Sequence, residues 1–275
     1  MIARLRSLFQ RHELIETLVM RDIKLRYKNS VIGFLWSLMN PLLLMLIFTI
    51  VFTVLIPSTN IAHFPVFVLT ALFSWNFFST ALMSGINSII DNGHLINKVY
   101  FPPEILTIST VLANCINFIL AIPVLLLFVA LFKIPFTISL LYIPIIIILQ
   151  VAFTLGVALF LATLQVFYRD TGHIMEVLIQ AWFMLTPIFY SSTLIPEWRT
   201  VLGVALPVRR LSYILNPMAS IVTLYRSVVY GFPDGNPPIA PELGFLLRTA
   251  VTSFIVLILG YWFLIRHSHR FGEEV

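Results

Sequence analysis

The sequence predicts an all-α membrane protein: six transmembrane helices, an N-terminal interfacial helix, and short re-entrant helices in the last outer loop. Three observations carry this. Residues 31–56 run for 26 positions without an ionisable side chain, and at about 1.5 Å per helical residue they exceed the ~30 Å hydrocarbon core of a bilayer. Uncharged apolar windows recur near 64–90, 105–132, 137–165, 174–192 and 243–265. The chain is 59% hydrophobic and 11% charged, where soluble domains carry about 25% charged residues.

Residues 1–30 hold seven of the 17 Lys/Arg, a step from basic to apolar that sets the direction of the first crossing. Within 13–28, Arg21, Lys24 and Lys28 share an arc of about 60° on a helical wheel, with Leu14, Leu18 and Leu25 beside it. That pattern suits a helix lying on anionic headgroups, and a plain topogenic anchor explains the charges equally well. The first span carries Asn40–Pro41, which removes a ladder hydrogen bond and can kink it. The second is polar on one side, with Asn76, Ser79, Ser84, Asn87 and Ser88.

The loop 91–104 has Leu95, Ile96, Val99 and Tyr100 on one stripe of a two-turn helix, with His94 and Lys98 beside them. Pro103 and Glu104 start the third span. Asp170 or Thr171 can cap the fifth, next to Arg169. The outer loop 193–242 holds seven of the 16 prolines. Within it, Asn216 and Pro217 introduce a short helix over 218–230. Residues 266–275 form a cytoplasmic tail.

With six crossings both termini lie on one side. Segments on that side hold 11 Lys/Arg against 5 on the other, which makes them cytoplasmic. The formal charge of +5 is explained by this anchoring, so a nucleic-acid partner is rejected. Cys115, the one cysteine, excludes an intrachain disulfide or cysteine metal site. Ion-coupled transport needs titratable groups within the hydrocarbon, and none is placed for it. The chain has no phosphate loop, H-E-x-x-H or G-x-S-x-G. Any energy therefore comes from another polypeptide, and no metal or cofactor is expected in this chain.

RDIKLRYKNSVIGFLWSLMNPLLLM (21–45), LINKVYFPPE (95–104), VFYRD (166–170), TPIFYS (186–191) and NPM (216–218) occur in register with six spans and a long last outer loop. In these the chain resembles the permease subunits of ABC exporters for lipid-linked polysaccharides such as O-antigen, capsule and teichoic acid. The resemblance implies a homodimer in the bacterial cytoplasmic membrane, paired with two copies of an ABC ATP-binding subunit where ATP and Mg act. It implies that the loop 91–104 is a coupling helix seating on that subunit. It also implies a channel between the two copies, lined by spans one and five.

Sugars present flat C–H faces that stack on aromatic rings, so Phe34, Trp36, Trp182, Phe183, Phe189 and Tyr190 are the expected path residues. Trp182 and Phe189 would share one helical face, and Phe183 and Tyr190 the next. Asn40, Pro41, Arg169 and Asp170 are the expected gate or kink. Two rivals stay open: a permease for a small lipid or drug, and a motor-free scaffold of glycan synthesis.

Overall fold

The computed structural model describes residues 11–27, 35–55, 61–93, 102–201 and 204–274. In chain order they form α1 (His12–Tyr27), α2 (Leu35–Thr49) prolonged by a π-helical stretch (Ile50–Leu55), α3 (Phe64–Asn87) and α4 (Glu104–Leu131). A 3-10 turn (Ile138–Tyr142) leads into α5 (Ile143–Phe167), followed by α6 (Thr171–Leu185). The outer segment holds β1 (Arg199–Val201), β2 (Val204–Leu206), α7 (Val208–Leu215) and α8 (Pro217–Val229). The long α9 (Leu243–His267) and a final turn, α10 (Phe271–Glu274), complete the chain.

Local chemistry sets the boundaries. Pro65 stands in the first turn of α3 and Pro144 in that of α5, where a missing N–H costs nothing. The far end of α4 is closed by Lys133 in a left-handed conformation, with Ile134 N–H donating to the Val129 carbonyl at 3.0 Å. Asn216 caps α8 by accepting from the Ala219 N–H at 3.3 Å, as its position before Pro217 predicts.

Among the described residues, five helices are long and apolar enough to cross a bilayer: Leu38–Leu55, Phe64–Asn87, Glu104–Leu131, Ile138–Phe167 and Leu243–Arg270. The predicted span 174–192 differs. Its helix, α6, covers 15 residues, about 22 Å, and stops at Leu185. Pro187 is the reason: it drives Thr186 into extended backbone (φ −90°, ψ 133°). Pro41 lies inside α2, which stays helical through it, and a π-helical stretch follows at Ile50–Leu55. Over 266–274, α9 runs to His267 and Phe271 is buried, 1% exposed.

The helix α3 occupies the centre, touching α2, α4, α5, α6 and α8. Its span is 78% buried, against 11% for α2 and 17% for α9, so α2 and α9 form the flanks. At the end where α3 stops and α4 starts, a second apolar cluster gathers Leu18 of α1 with Ile89, Ile105, Leu106, Tyr261, Leu264 and Phe271. On the flank, α5 and α9 meet backbone to backbone. A Cβ on Gly156 would stand 2.5 Å from the Leu257 nitrogen, and one on Gly260 would overlap the Gly156 carbonyl. Small residues let membrane helices approach this closely.

Gly260→Leu therefore forces α9 off α5, with an overpacking cost of about 1–3 kcal/mol. The expected outcome is a lower thermal midpoint and a broadened gel-filtration peak, while Gly272→Leu, with nothing within 4 Å of its Cβ position, changes neither.

Candidate functional site

The central helix is polar where it is least enclosed. From Asn76 onward, the positions of α3 that escape full burial are Asn76, Ser79, Thr80, Met83, Ser84 and Asn87. Their spacing (i, i+3, i+4, i+7, i+8, i+11) is one helical face, and five of the six are polar. Thr80 Oγ1 donates to the Asn76 carbonyl (2.6 Å) and Ser84 Oγ to the Thr80 carbonyl (2.6 Å). Such back-bonding lets hydroxyls tolerate a membrane helix while presenting their lone pairs outward.

Two cavities flank α2 along this face. One, of about 390 Å³, lies between α2, α3 and α6 and is lined by Asn40, Pro41, Trp75, Asn76, Ser79 and Phe183 among others. The other, of about 470 Å³, lies between α2, α3 and α4 and is lined by Trp36, Asn40, Asn76, Thr80, Asn114 and Asn117 among others. Asn40 and Asn76 border both. Among the described residues no group of three His, Cys, Asp or Glu side chains could hold a metal.

Because α6 ends at Leu185, the expected pairing of Trp182 with Phe189 and of Phe183 with Tyr190 on helical faces fails. The segment 186–191 folds back instead. Phe189 stacks on Phe48 (5.4 Å between centroids) and Phe52 (5.6 Å), while Phe183 meets Trp75 edge-on (5.6 Å). Trp182 points into the interior against Phe78 (5.0 Å) and Phe153 (6.2 Å), and its Nε1–H donates to Asn216 Oδ1 at 2.8 Å. The Tyr190 hydroxyl donates to the Leu185 carbonyl at 3.3 Å. Four of the expected aromatics thus belong to one chain of rings joining α2, α3, α6 and the turn. Trp36, 68% exposed, stands apart from them at the rim of the larger cavity.

The break at Pro187 is held by a residue that sequence reasoning counted only as an outer-loop charge. Arg226 on α8, 7% exposed, donates from Nη1 to the Pro187 carbonyl (2.5 Å), from Nη2 to the Ile188 carbonyl (2.5 Å) and from Nε to the Phe67 carbonyl (3.2 Å). Its guanidinium lies 3.5 Å from the Phe67 ring centroid, a cation–π geometry. Asn216 reinforces the turn, donating from Nδ2 to Thr186 Oγ1 at 3.0 Å. The signal available in sequence was the one charged residue in an otherwise uncharged short helix.

At the opposite end, α1 packs along α4. The Tyr27 hydroxyl donates to Asn117 Oδ1 (2.8 Å), and Thr110 Oγ1 to Asp22 (3.3 Å). Asp22 also pairs with Arg21 at 3.0 Å, while Lys24 is exposed. Arg169 and Asp170 are both exposed, and the Asp170 side chain makes no cap bond. The cap comes from α5 instead: Gln165 Oε1 accepts from the Gly172 N–H (2.7 Å) and its Nε2 donates to Asn87 Oδ1 (3.2 Å). Lys28, Phe34, His94, Leu95, Ile96, Lys98, Val99 and Tyr100 lie outside the described residues.

Among the described residues, five bilayer-length helices, one of them the central helix with its polar face, define a multi-pass membrane protein. Residues 13–230 match the model of the ABC-2 type transporter family, and the chain belongs to that family, as a transport subunit rather than an enzyme. Over its full length it is 36% identical to the full-length O-antigen export system permease protein RfbA of Myxococcus xanthus. It is 32% identical to a protein of the same name from Klebsiella pneumoniae, over 95% of this chain and 94% of that one. A further Klebsiella pneumoniae RfbA is 31% identical over the same shares.

Arg226→Leu leaves the Pro187 and Ile188 carbonyls unpaired in a buried setting, at about 1–3 kcal/mol each. Arg226→Lys restores one point contact but not the fork. The buried Cys115 reports unfolding through its reaction with a thiol probe on heating. The expected order of midpoints is wild type, then Lys, then Leu.

Proposed function

We propose that this chain is the membrane half of an ATP-driven exporter that carries a lipid-linked polysaccharide of the O-antigen type across the bacterial cytoplasmic membrane. Support comes from the O-antigen export permeases to which it is similar along nearly its whole length and from the polar face of α3. That face is the observation that carries the reading. Polar side chains on the most enclosed helix of a membrane bundle are costly unless they border water, a polar cargo or a partner copy. A glycan, neutral and rich in hydroxyls, suits Asn, Ser and Thr better than charged groups.

In this reading two copies of the chain pair through their α2 and α6 flanks, and each engages one copy of an ABC ATP-binding subunit, where ATP and Mg act. Both termini are cytoplasmic, and α6 with its folded-back turn completes the sixth crossing. The loop 91–104 seats on the ATPase through Leu95, Ile96, Val99 and Tyr100, with His94 and Lys98 at its margin. Arg21, Lys24 and Lys28 face anionic headgroups. The glycan passes over the polar face of α3. Phe34, Trp36, Phe183, Phe189 and Tyr190 supply stacking surfaces, and Trp182 holds the turn that carries Phe189 and Tyr190. Asn40 and Pro41 on α2 and Arg169 and Asp170 at the cytoplasmic turn gate the path. Closure of the ATPases on ATP moves the loop 91–104 and opens the channel between copies.

The test is complementation of a strain lacking this chain, read as surface glycan, together with recovery of partners from the native membrane. Thr80→Leu with Ser84→Leu, which makes the α3 face apolar, is expected to lower surface glycan by about tenfold or more, equivalent to at least 1.4 kcal/mol, with the ATPase still recovered. Charge at Leu95, Ile96 and Tyr100 is expected to abolish that recovery. Recovery of no subunit bearing a phosphate loop under mild extraction would overturn the reading.

A further inference from the structure

Two cations at the outer-loop end have no part in the glycan path or in the clamp on Pro187. Arg248 is the sixth residue of α9, and its guanidinium lies 4.5 Å from the Phe245 ring centroid and 5.5 Å from that of Tyr213. Those two rings meet edge to face at 5.2 Å, joining α9 to α7. Arg210 stands three residues before Tyr213 on α7, which places both on one helical face, and its charge opposes that of Arg248. Two like charges thus meet at the junction of α7 and α9. Arg248 Nη2 also donates to Ser220 Oγ at 3.4 Å, but a hydroxyl does not neutralise it.

The chain supplies little to offset the pair. Segments 57–63, 133–136 and 193–242 contain three acids, Glu197, Asp234 and Glu242. Glu197 pairs with Arg209 at 3.0 Å, and Asp234 accepts from the Asn236 side chain at 2.6 Å. Glu242, exposed at the start of α9, attracts Arg248 from beyond ion-pair distance. Among the described residues, neither Arg210 nor Arg248 has an ion-pair partner. The neighbouring arginines differ: Arg226 is satisfied by three carbonyls, and Arg209 by Glu197 and the Ile195 carbonyl. Two guanidiniums with one distant carboxylate between them lack an anion.

Depth and surroundings say which kind. The 25 residues of α9 span about 37 Å, more than the ~30 Å of hydrocarbon and less than the ~40 Å that includes headgroups. Its first turns, with Arg248, therefore lie at headgroup level. Leu247 and Val251, 55% and 56% exposed, continue along α9, and Ile214, 51% exposed, follows Arg210 by one turn of α7. Long cationic side chains over exposed apolar surface fit a lipid interface, and guanidiniums hold phosphate oxygens through paired N–H donors.

We propose that Arg210 and Arg248 together bind the phosphate of a lipid in the adjoining leaflet, whose chain lies along Leu247 and Val251. The bound phosphate relieves the repulsion between the two cations and ties α7 to α9. Two sources share this chemistry: an anionic phospholipid of the bulk membrane, and a polyprenyl phosphate that carries the cargo. Only the second rests on the export reading.

The experiment uses the full chain, purified from its native membrane into phosphatidylcholine nanodiscs. Four probes are added in turn: phosphatidylglycerol, diacylglycerol, polyprenyl phosphate and polyprenol. Retention is read by native mass spectrometry. The expected result is about tenfold higher retention of a phosphate-bearing probe than of its uncharged counterpart, reduced in Arg210→Gln and lost when Arg248→Gln is added. Arg199→Gln, which removes an exposed cation on β1, is expected to change nothing. Arg210 is on the surface, so its variant decides alone if the double variant misfolds, which the Cys115 thiol assay detects. Preference for polyprenyl phosphate over phosphatidylglycerol assigns the carrier as source; equal retention of the two assigns anionic lipid in general. Equal retention of charged and uncharged probes by the wild type overturns the inference. So does a phosphate preference that survives Arg210→Gln, or one that Arg199→Gln lowers as much. None of these outcomes touches the export reading, which stands or falls on surface glycan and the co-purified ATPase.

Discussion

Everything at the outer-loop end of the bundle depends on one buried cation. Proline in a membrane helix frees carbonyls that lipid cannot satisfy, and Pro187 does so at the end of α6. The guanidinium of Arg226 answers with a planar fork of donors, reaching the Pro187 and Ile188 carbonyls and, on another helix, that of Phe67. One side chain thereby joins α8, α3 and the turn. Around it the outer segment is stitched down by the Trp182–Asn216 bond and by Tyr230, whose hydroxyl donates to the Ala62 carbonyl at 2.5 Å. The proline-rich outer loop is thus pinned to the bundle.

Particular residues show where sequence reasoning reached and where it stopped. The apolar windows at 64–90, 105–132, 137–165 and 243–265 return as α3, α4, α5 and α9 within a few residues, because in a bilayer composition and length alone decide what can cross. The Asn216–Pro217 start of α8 was equally legible, since capping is local. What escaped was tertiary. Hydropathy treated 174–192 as continuous, although Pro187 was in plain view, because a proline is tolerated in many spans and only packing decides whether the helix resumes. Arg226 counted as a loop charge because its partners are 38 to 159 positions away in sequence. Gln165 and Asn117, single polar residues in apolar runs, carried a signal, but not the identity of their partners.

The candidate site was legible in part for the same reason. Four of the five polar residues noted in the second span, Asn76, Ser79, Ser84 and Asn87, lie with Thr80 along one face of the central helix, while Ser88 is buried against Thr107. The aromatic set was chosen by a helical periodicity that ends at Leu185. The same residues are drawn together by folding back rather than by helical repeat, and Phe48 and Phe52 of the first span and Trp75 and Phe78 of the second join them. Enclosure falls from α3 outward, and the flanks α2 and α6 present Leu43, Leu46, Ile47, Val177 and Leu185 outward, all about half exposed or more. Such surfaces meet either lipid or another copy of the chain.

The glycine contact between α5 and α9 bears on mechanics. Packed helices slide by exchanging the rotamers of side chains interposed between them. Between Gly156 and Gly260 there is no such layer to shear. The pair behaves as a stiff strut, so a force applied where α9 ends against Phe271 is carried along α5 instead of being absorbed between the two helices. Compliance is left to the opposite side of α3, where α2 ends in a π-helical stretch and α6 ends in a turn. The molecule is built with a rigid back and a pliant front.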